Sequence, residues 1–276
     1  MSCATCRAPA RCPECRGPLA LPAPDQPPRC GWCGKTPRGF ECAHCDGDRL
    51  RAGIIGARRT AEEIGRSFPG VRVITSGAGE VHESVGSEPA IVVATPGAEP
   101  VAAGGYAAVL LLDAWASLDR PDLRAAEEAV RRWVAAAGLA RSWSDGGVVV
   151  LCGAPSHVTI PAVEALVRWD PEWFAARELA ERAELSLPPT TWTAEVVADR
   201  KRVEPIEHAV RAAATQAQLL GPLPVTGSQD KRRLVVTAPF ADGPLVAAAL
   251  KDVRAGESAR KAPDLTSVKV GHLTAG

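Results

Sequence analysis

The apolar residues in the middle of the chain fall into short continuous runs, which lie at residues 71–75, 90–94, 107–112 and 148–152. Such runs are typical of the central strands of a parallel sheet, because those strands are buried on both faces. The stretches beside them predict helices at 122–137, at 163–182 with a break at Pro171, and at a segment that begins with the capping-box residues Thr60 and Glu63. Strands that alternate with helices predict an α/β layer fold.

A second, smaller pattern follows Leu187-Pro188-Pro189, a sequence that favours a domain boundary. Strands are predicted there at 193–197, 233–237 and 267–270, with helices at 205–220 and 244–254. This pattern predicts an α+β domain at the end of the chain. With the cysteine-rich start of the sequence, the predicted domains are residues 1–49, 50–184 and 185–276.

The first 45 residues contain eight of the nine cysteines, arranged as four Cys-x-x-Cys pairs. Two such pairs can close one tetrahedral zinc site with four sulfur ligands. A zinc ribbon separates its pairs by ~15–20 residues, and only the fourteen-residue gap between the second and third pairs comes close to that length. The gaps therefore predict two nested zinc sites, one formed by Cys12, Cys15, Cys30 and Cys33 and the other by Cys3, Cys6, Cys42 and Cys45.

Other uses of these cysteines fit the sequence less well. Disulfide bonds need an oxidising compartment, and the start at Met1-Ser2-Cys3 predicts no apolar signal segment. A thioredoxin-like redox site has one pair at a strand-to-helix junction and not four in succession. His44 could replace a sulfur ligand, although a solvated side chain is the favoured interpretation. Because four thiolates leave no open coordination position, the zinc is expected to stabilise the fold and not to do chemistry.

The formal net charge is zero, but the charge is unevenly distributed. It is +3 over residues 1–51, −8 over 52–199 and +5 over 200–276. Basic ends around an acidic middle indicate contact with a polyanion, and ordinary surface charge is an alternative of equal weight. The candidate residues for binding single-stranded or branched DNA are Arg29, Trp32, Lys35, Arg38, Lys231, Arg232 and Arg233. Trp32 is expected to stack on a base unless it packs as core.

The longest apolar run, at 107–112, is far too short to cross a bilayer. We therefore expect a soluble cytoplasmic protein with no membrane partner. The sequence contains no Walker A motif (GxxxxGK followed by Ser or Thr), no HExxH and no GxSxG. Asp113 lies at a strand end, where α/β enzymes place catalytic groups, but no nucleophile, base or phosphate loop accompanies it. No catalytic residue is assigned.

A series of short motifs through most of the chain resembles the C-terminal part of the PriA family of replication restart proteins, also called primosomal protein N′. Each motif alone is weak, and their order makes the resemblance specific. The motifs are Cys12-Pro13-x-Cys15, Cys30-x-Trp32-Cys33, Cys42-x-x-Cys45, Thr60-Ala61-Glu62-Glu63, Phe68-Pro69-Gly70, Asp122-Leu123-Arg124, Leu187-Pro188-Pro189, Gly221-Pro222-x-Pro224 and Ser258-Ala259-Arg260-Lys261.

The resemblance implies a two-zinc module inserted in the second RecA-like lobe of a 3′-to-5′ DNA helicase, followed by a C-terminal domain. It also implies binding to abandoned replication forks and contact with single-stranded-DNA-binding protein and other primosome components. The sequence departs from the family where ATP would bind. The first lobe with its phosphate loop is not in the sequence, and Thr95 and Arg141 are the only remnants of two second-lobe motifs. The chain therefore resembles the branch with eroded helicase motifs, and ATP is not expected to bind to it alone.

These observations together predict a PriA-type replication restart factor that contains zinc, binds DNA and has no helicase activity of its own. Two alternatives remain open. The chain could be half of a split ATP-dependent helicase that a separate chain completes. It could also be a zinc-ribbon interaction module with no role on DNA, and this alternative gains weight if the basic residues scatter over opposite faces.

Overall fold

Two units, Met1–Phe174 and Ala175–Gly276, divide the chain. The computed structural model describes residues 1–6, 8–21, 26–31, 33–51, 56–77, 79–118, 120, 122–154, 159–225 and 228–271. Among these residues, no helix is long and apolar enough to cross a membrane.

The first unit begins with a cysteine-rich module in which short strands pair in a nested order. The strands are β1 (Ser2–Cys3), β2 (Leu19–Ala20), β3 (Arg29–Cys30) and β4 (Leu50–Arg51). The outer strands β1 and β4 pair antiparallel, and so do the inner strands β2 and β3. The sequence also predicts a short strand at 50–56, and this stretch lies partly outside the described residues.

The buried core of this module is very small. Among the residues of the module that the structure describes, it consists of Ala10, Cys12, Leu19 and Cys30, with Phe40 and Leu50 among the half-buried side chains packed against it. A core of this size rarely stabilises a module of about 50 residues without a metal ion or a covalent crosslink. The stability of the module must therefore come largely from its cysteines.

The rest of the first unit alternates strands and helices. Its elements are α1 (Ala57–Ser67), β5 (Arg72–Ser76), β6 (Ser84–Val85), β7 (Ala90–Ala94), β8 (Val101–Ala102), β9 (Ala108–Leu111), α2 (Ala114–Leu118), α3 (Ala125–Ala137), β10 (Val148–Leu151), α4 (Pro161–Arg168) and α5 (Pro171–Glu184), which runs across the unit boundary. The strands pair in parallel, β5 with β7, β6 with β8 and β9 with β10. This arrangement is mixed α/β, and the four longer strands lie within one residue of the predicted runs.

The helices of this part cover the β9 and β10 pair. Leu111 of β9 is buried with Trp133 of α3 and Leu166 of α4, and Phe174 of α5 joins the same cluster. Helix α1 begins at Ala57, three residues before its predicted start. Thr60 is therefore inside the helix, where its Oγ1 lies 3.4 Å from the carbonyl oxygen of Gly56, and does not form the expected cap.

The second unit has the order strand, helix, strand, strand, helix, strand. Its elements are β11 (Trp192–Asp199), α6 (Val203–Ala213), β12 (Gln218–Pro224), β13 (Lys231–Ala238), α7 (Gly243–Ala259) and β14 (Ser267–Val270). The strands form one antiparallel sheet in the order β12-β13-β11-β14. This is the ferredoxin-like arrangement of a split βαβ unit.

Helices α6 and α7 pack on one face of this sheet. Ile206 and Leu250 from the helices are buried against Val196 of β11 and Val236 of β13. The predicted helix over 205–220 is wrong after residue 213, because 218–224 form β12. Gln218, Leu219 and Leu220 continue the helical run in sequence, but they pair with Thr237, Val236 and Val235 of β13 and so belong to a strand.

Candidate metal centres and basic surfaces

Each of the four Cys-x-x-Cys pairs lies in the same kind of turn. The amide of the first cysteine donates to the carbonyl oxygen five residues later, with N···O distances of 2.8–3.0 Å in all four turns. In the turns where the residue after the second cysteine is described, its amide donates to the carbonyl oxygen of the first cysteine. Those residues have a left-handed φ: 61° at Arg16, 70° at Gly34 and 57° at Asp46. This tight reversal turns both sulfurs of a pair toward the same point.

The turns bring the eight sulfurs together in the two sets that the loop lengths predict. Within each set, all four sulfurs lie within 4.8 Å of one another. The Sγ atoms of Cys3 and Cys45 are 3.6 Å apart, and those of Cys6 and Cys42 are 3.5 Å apart. In the other set, the Sγ distances are 3.9 Å for Cys12 and Cys33 and 3.4 Å for Cys15 and Cys30. Each group could hold one metal ion.

These distances fit a tetrahedral ion with four thiolate ligands. A Zn–S bond of ~2.3 Å places the sulfurs of a regular tetrahedron ~3.8 Å apart, and the distances above lie on both sides of that value. A disulfide bond has its sulfurs ~2.05 Å apart, and all eight of these cysteines are free. The first cysteine of every pair is buried, while the second is more exposed. His44 is exposed and belongs to neither group.

Backbone amides, burial and neighbouring sulfurs change the pKa values of three of these cysteines. The backbone amide of Cys6 lowers the pKa of Cys3 to about 6. The amide of Gly47 lowers the pKa of Cys45, but the neighbouring Cys6 thiol and burial together raise it more, to about 12. For Cys15, the amide of Gly17 is likewise outweighed by burial and by Cys30, and its pKa is also about 12. Because metals bind thiolates, an ion must displace these protons, and its affinity falls as the pH falls.

Gly47 shows how little space remains beside the outer group. A Cβ atom at this position would lie 3.3 Å from the Cys3 Sγ, 3.4 Å from the Cys45 Sγ and 3.1 Å from the Thr5 Oγ1. Gly39, in the same module, has no atom within 4 Å of the corresponding position. The sequence does not distinguish these two glycines, and the contact at Gly47 becomes visible only when the chain is folded.

The basic candidates of the cysteine-rich module differ in how far their charge is neutralised. Lys35 forms an ion pair with Glu14, which raises the pKa of Lys35. Arg29 is exposed, and its Nε donates to the carbonyl oxygen of Gly34 at 2.6 Å. Arg38 is exposed and has no ion-pair partner in the described part of the chain. Trp32 lies outside the described residues. Arg29 and Arg38 are therefore the cations of this set that could meet a phosphate.

The three consecutive candidates at the start of β13 do not form one surface. Side chains of a strand alternate between its two faces, and Arg232 shares the parity of Leu234 and Val236, which are buried under the helices. Lys231 and Arg233 lie on the opposite face. Each has a carboxylate partner: the Lys231 Nζ is 3.6 Å from Asp264, and the Arg233 Nη1 is 3.9 Å from Glu195.

The two residues that the sequence suggested as remnants of an ATP site make backbone contacts. The amide of Thr95 donates to the carbonyl oxygen of Ser76 at 2.9 Å, directly after β7. The Arg141 side chain is exposed, and its Nε lies 3.2 Å from the carbonyl oxygens of Gly104 and Gly105. Arg141 has no carboxylate partner among the described residues.

The fold and the cysteines define a protein with two candidate four-sulfur metal centres, an α/β segment and a ferredoxin-like unit. Residues 183–271 match the family model of the primosomal protein N C-terminal domain. The whole chain is 43% identical over 287 aligned positions to the "Probable replication restart protein PriA" of Mycobacterium leprae (strain TN), of which it covers 44%. The protein of the same name from Mycobacterium tuberculosis (strain CDC 1551 / Oshkosh) is 48% identical over 81% of the chain and 34% of that protein.

A more distant relative is the replication restart protein PriA of Treponema pallidum (strain Nichols), which is 27% identical over 79% of the chain and 35% of its own length. The chain belongs to the PriA family of replication restart proteins, as its motifs suggested. It spans less than half the length of the curated relatives it matches.

If the two cysteine groups bind separate ions, replacing one ligand should affect one group only. We expect Cys12→Ser to lower the metal content of the purified chain from two zinc equivalents to about one. Cys3→Ser should do the same to the other group, and the double variant should lose both ions. The metal content can be measured by inductively coupled plasma mass spectrometry. A Cys12→Ser chain that retains two equivalents, or a wild-type chain that holds one, would contradict the nested assignment.

The contact at Gly47 predicts a selective defect without any change of ligand. In Gly47→Ala, the added methyl group lies against two sulfurs of the outer group, so that group should lose its ion to a chelator faster than the inner group. Gly39→Ala is the matched control and should behave as the wild type, because its methyl group meets no atom. Release can be followed with a colorimetric zinc indicator. Equal release from the two variants would show that the outer group tolerates the extra carbon.

Proposed function

We propose that this chain acts in replication restart as a zinc-containing, DNA-binding factor of the PriA type. The observation that carries the proposal is the similarity of the whole chain to proteins named for replication restart, at 43% identity to one of them. The match of residues 183–271 to a primosomal domain supports the same role. Restart factors act on abandoned forks, so single-stranded or branched DNA is the proposed ligand, with single-stranded-DNA-binding protein and other primosome components as proposed partners.

Zinc is the metal we propose for both cysteine groups. Four thiolates with no carboxylate or water ligand select a soft or borderline ion of tetrahedral preference. A closed set of this kind gives zinc a structural role, because no coordination position remains for a substrate. The cysteines would hold the ions, and the module would thereby present Arg29 and Arg38 on a rigid surface.

We further propose the division of the chain into a zinc module at residues 1–49, a degenerate second RecA-like lobe at 50–184 and a C-terminal domain at 185–276. The parallel strand pairs of the first unit support the proposed lobe. The family match supports the last boundary.

The chain by itself should hydrolyse no ATP. Phosphoryl transfer needs a phosphate-binding loop, a bound magnesium ion and charged groups that neutralise the transferred phosphate. These 276 residues contain no Walker A motif, and Arg141 is the one candidate for such a charged group. We expect phosphate release at the background rate with or without fork DNA. DNA-stimulated hydrolysis that disappears in Arg141→Ala would instead favour the split helicase.

DNA binding should depend on the unpaired cations of the module. We expect the zinc-loaded chain to bind a labelled fork at low salt, and the double variant Arg29→Gln/Arg38→Gln to bind it about tenfold more weakly, because hydrogen bonds to ionised groups are the strong ones. Lys35→Gln is the matched control and should cost less, since Glu14 already neutralises Lys35. Fluorescence anisotropy measures all three.

The variant Trp32→Ala, measured in the same assay, distinguishes stacking of Trp32 on a DNA base from packing of Trp32 in the core of the module. A variant that keeps both ions and binds DNA more weakly supports the proposed stacking on a base, which is worth ~1–3 kcal/mol. Failure of the fully zinc-loaded wild type to bind fork DNA at low salt would remove the DNA role and favour the interaction module.

A further inference from the structure

A second basic run lies beside the start of β13 in the folded chain. Arg200-Lys201-Arg202 forms a short 3-10 turn directly after β11. The antiparallel pairing places Asp199 opposite Lys231 and Ala198 opposite Arg232. Six basic residues that are about thirty positions apart in sequence, three from each run, therefore meet at one end of the sheet.

Ion pairs neutralise half of these six residues. Besides the pairs of Lys231 and Arg233 described above, the Arg202 Nη1 lies 3.5 Å from the carboxylate of Glu257. Glu257 is 4% exposed and also accepts hydrogen bonds of 2.7 Å from both the amide and the hydroxyl of Thr266, so this pair is part of the internal structure. Arg200, Lys201 and Arg232 have no ion-pair partner in the part of the chain that the structure describes.

Two of these three unpaired cations line the same cleft. It has a volume of about 400 Å³ and is bounded by Arg200, Val203, Glu204, Pro222 and Arg232. That volume lies within the ~300–1,000 Å³ typical of small-molecule sites. Arg232 reaches the cleft because it lies on the helix-covered face of the sheet, and its Nη1 is held by the carbonyl oxygens of Gln229 and Lys231 at 2.8 and 2.9 Å.

An irregularity in β12 forms the apolar side of the cleft. The register of β12 against β13 shifts between Leu220 and Leu223, and Pro222 lies in this bulge. Pro222 is exposed, and Val203 at the start of α6 is 9% exposed. The cleft thus combines two guanidinium groups with two apolar side chains, which is the chemistry that suits a nucleotide: an anionic phosphate joined to an apolar sugar and base face.

We propose that this cleft binds one nucleotide of a DNA single strand. The proposal rests on the DNA-binding function proposed above and names the residues that carry it in the second unit. Arg200 and Arg232 donate to a phosphate, since guanidinium groups suit bidentate contacts with phosphate oxygens. The sugar or base lies over Pro222 and Val203, and Lys201 neutralises the neighbouring phosphate. A paired base would have to leave its duplex to enter, so the site selects single strands.

A substitution at Glu204 allows a test that distinguishes an effect on this site from general damage to the fold. It is exposed, and it is the one acidic residue that lines the cleft. Its carboxylate repels a phosphate held between the two arginines. Neutralising Glu204 should therefore tighten binding, whereas a misfolded variant would only weaken it.

The test compares four variants of the full zinc-loaded chain by fluorescence anisotropy with a labelled oligothymidine. Arg200→Gln and Arg232→Gln should each bind about tenfold more weakly, because each removes a charged hydrogen bond to a phosphate. Their salt dependence should also fall, by a slope of ~0.7 for each phosphate that the variant no longer neutralises. Lys269→Gln, in β14 and on the opposite face of the sheet, should bind as the wild type does. Glu204→Gln should bind more tightly.

Each outcome of this comparison has a distinct meaning. Equal affinities of Arg200→Gln and Lys269→Gln, with the wild type still binding, would overturn the cleft and leave the DNA role of the chain intact. Weaker binding by Glu204→Gln would also overturn the cleft, because it would show that no phosphate lies near this carboxylate. A wild-type chain that binds no single strand would instead remove the proposed DNA function itself. Arg200 is exposed, so its variant remains informative if Arg232→Gln folds poorly.

Discussion

The organisation of the first module depends on the close approach of eight sulfur atoms. Four thiolates within 4.8 Å of one another repel strongly unless a cation lies between them or protons neutralise them. In the described part of the module, the apolar core has four buried residues, of which two are themselves cysteines. Left-handed backbone at Arg16 and Asp46 adds a further cost of about 1–2 kcal/mol for each residue. Binding of a metal ion by each group would offset these costs, as in other small modules where the binding free energy is folding free energy.

One local structure, used four times, explains why the two groups resemble each other. The first backbone hydrogen bond recurs around all four cysteine pairs, and the second recurs around the three pairs whose following residue is described, although the residues between the cysteines differ. The turns fix the distance between sulfurs within a pair, and the strand pairs fix which turns meet. Because β1 pairs with β4 and β2 pairs with β3, the outer turns face each other and so do the inner ones. Local geometry and strand pairing thus point to the same nested arrangement.

Spacing along the chain was enough to predict the grouping of the cysteines, since few pairings of four close pairs suit the loop lengths. Continuous apolar runs were equally informative: the strand at Ala90–Ala94 has the predicted bounds. The prediction was wrong where a distant partner decides the structure. Residues 218–220 continue a helical run in sequence, yet they belong to a strand that pairs with β13. The contact of Gly47 with two sulfurs and the register shift that places Pro222 at a cleft are likewise invisible without the folded chain.

The distribution of positive charge over the surface is the feature that the sequence predicted least well. The sequence marks Lys231, Arg232 and Arg233 as one basic cluster, yet a strand sends neighbouring side chains to opposite faces. Two of these three cations meet carboxylates from another strand or a loop, and Arg202 meets one from helix α7. Net charge therefore overstates the positive surface that a polyanion can reach. The proposed DNA contacts are therefore limited to the cations without an ion-pair partner among the described residues, which are Arg29 and Arg38 in one unit and Arg200, Lys201 and Arg232 in the other. Such contacts with the backbone of a strand would suit the proposed role on forks of many sequences, because phosphate contacts are independent of base sequence.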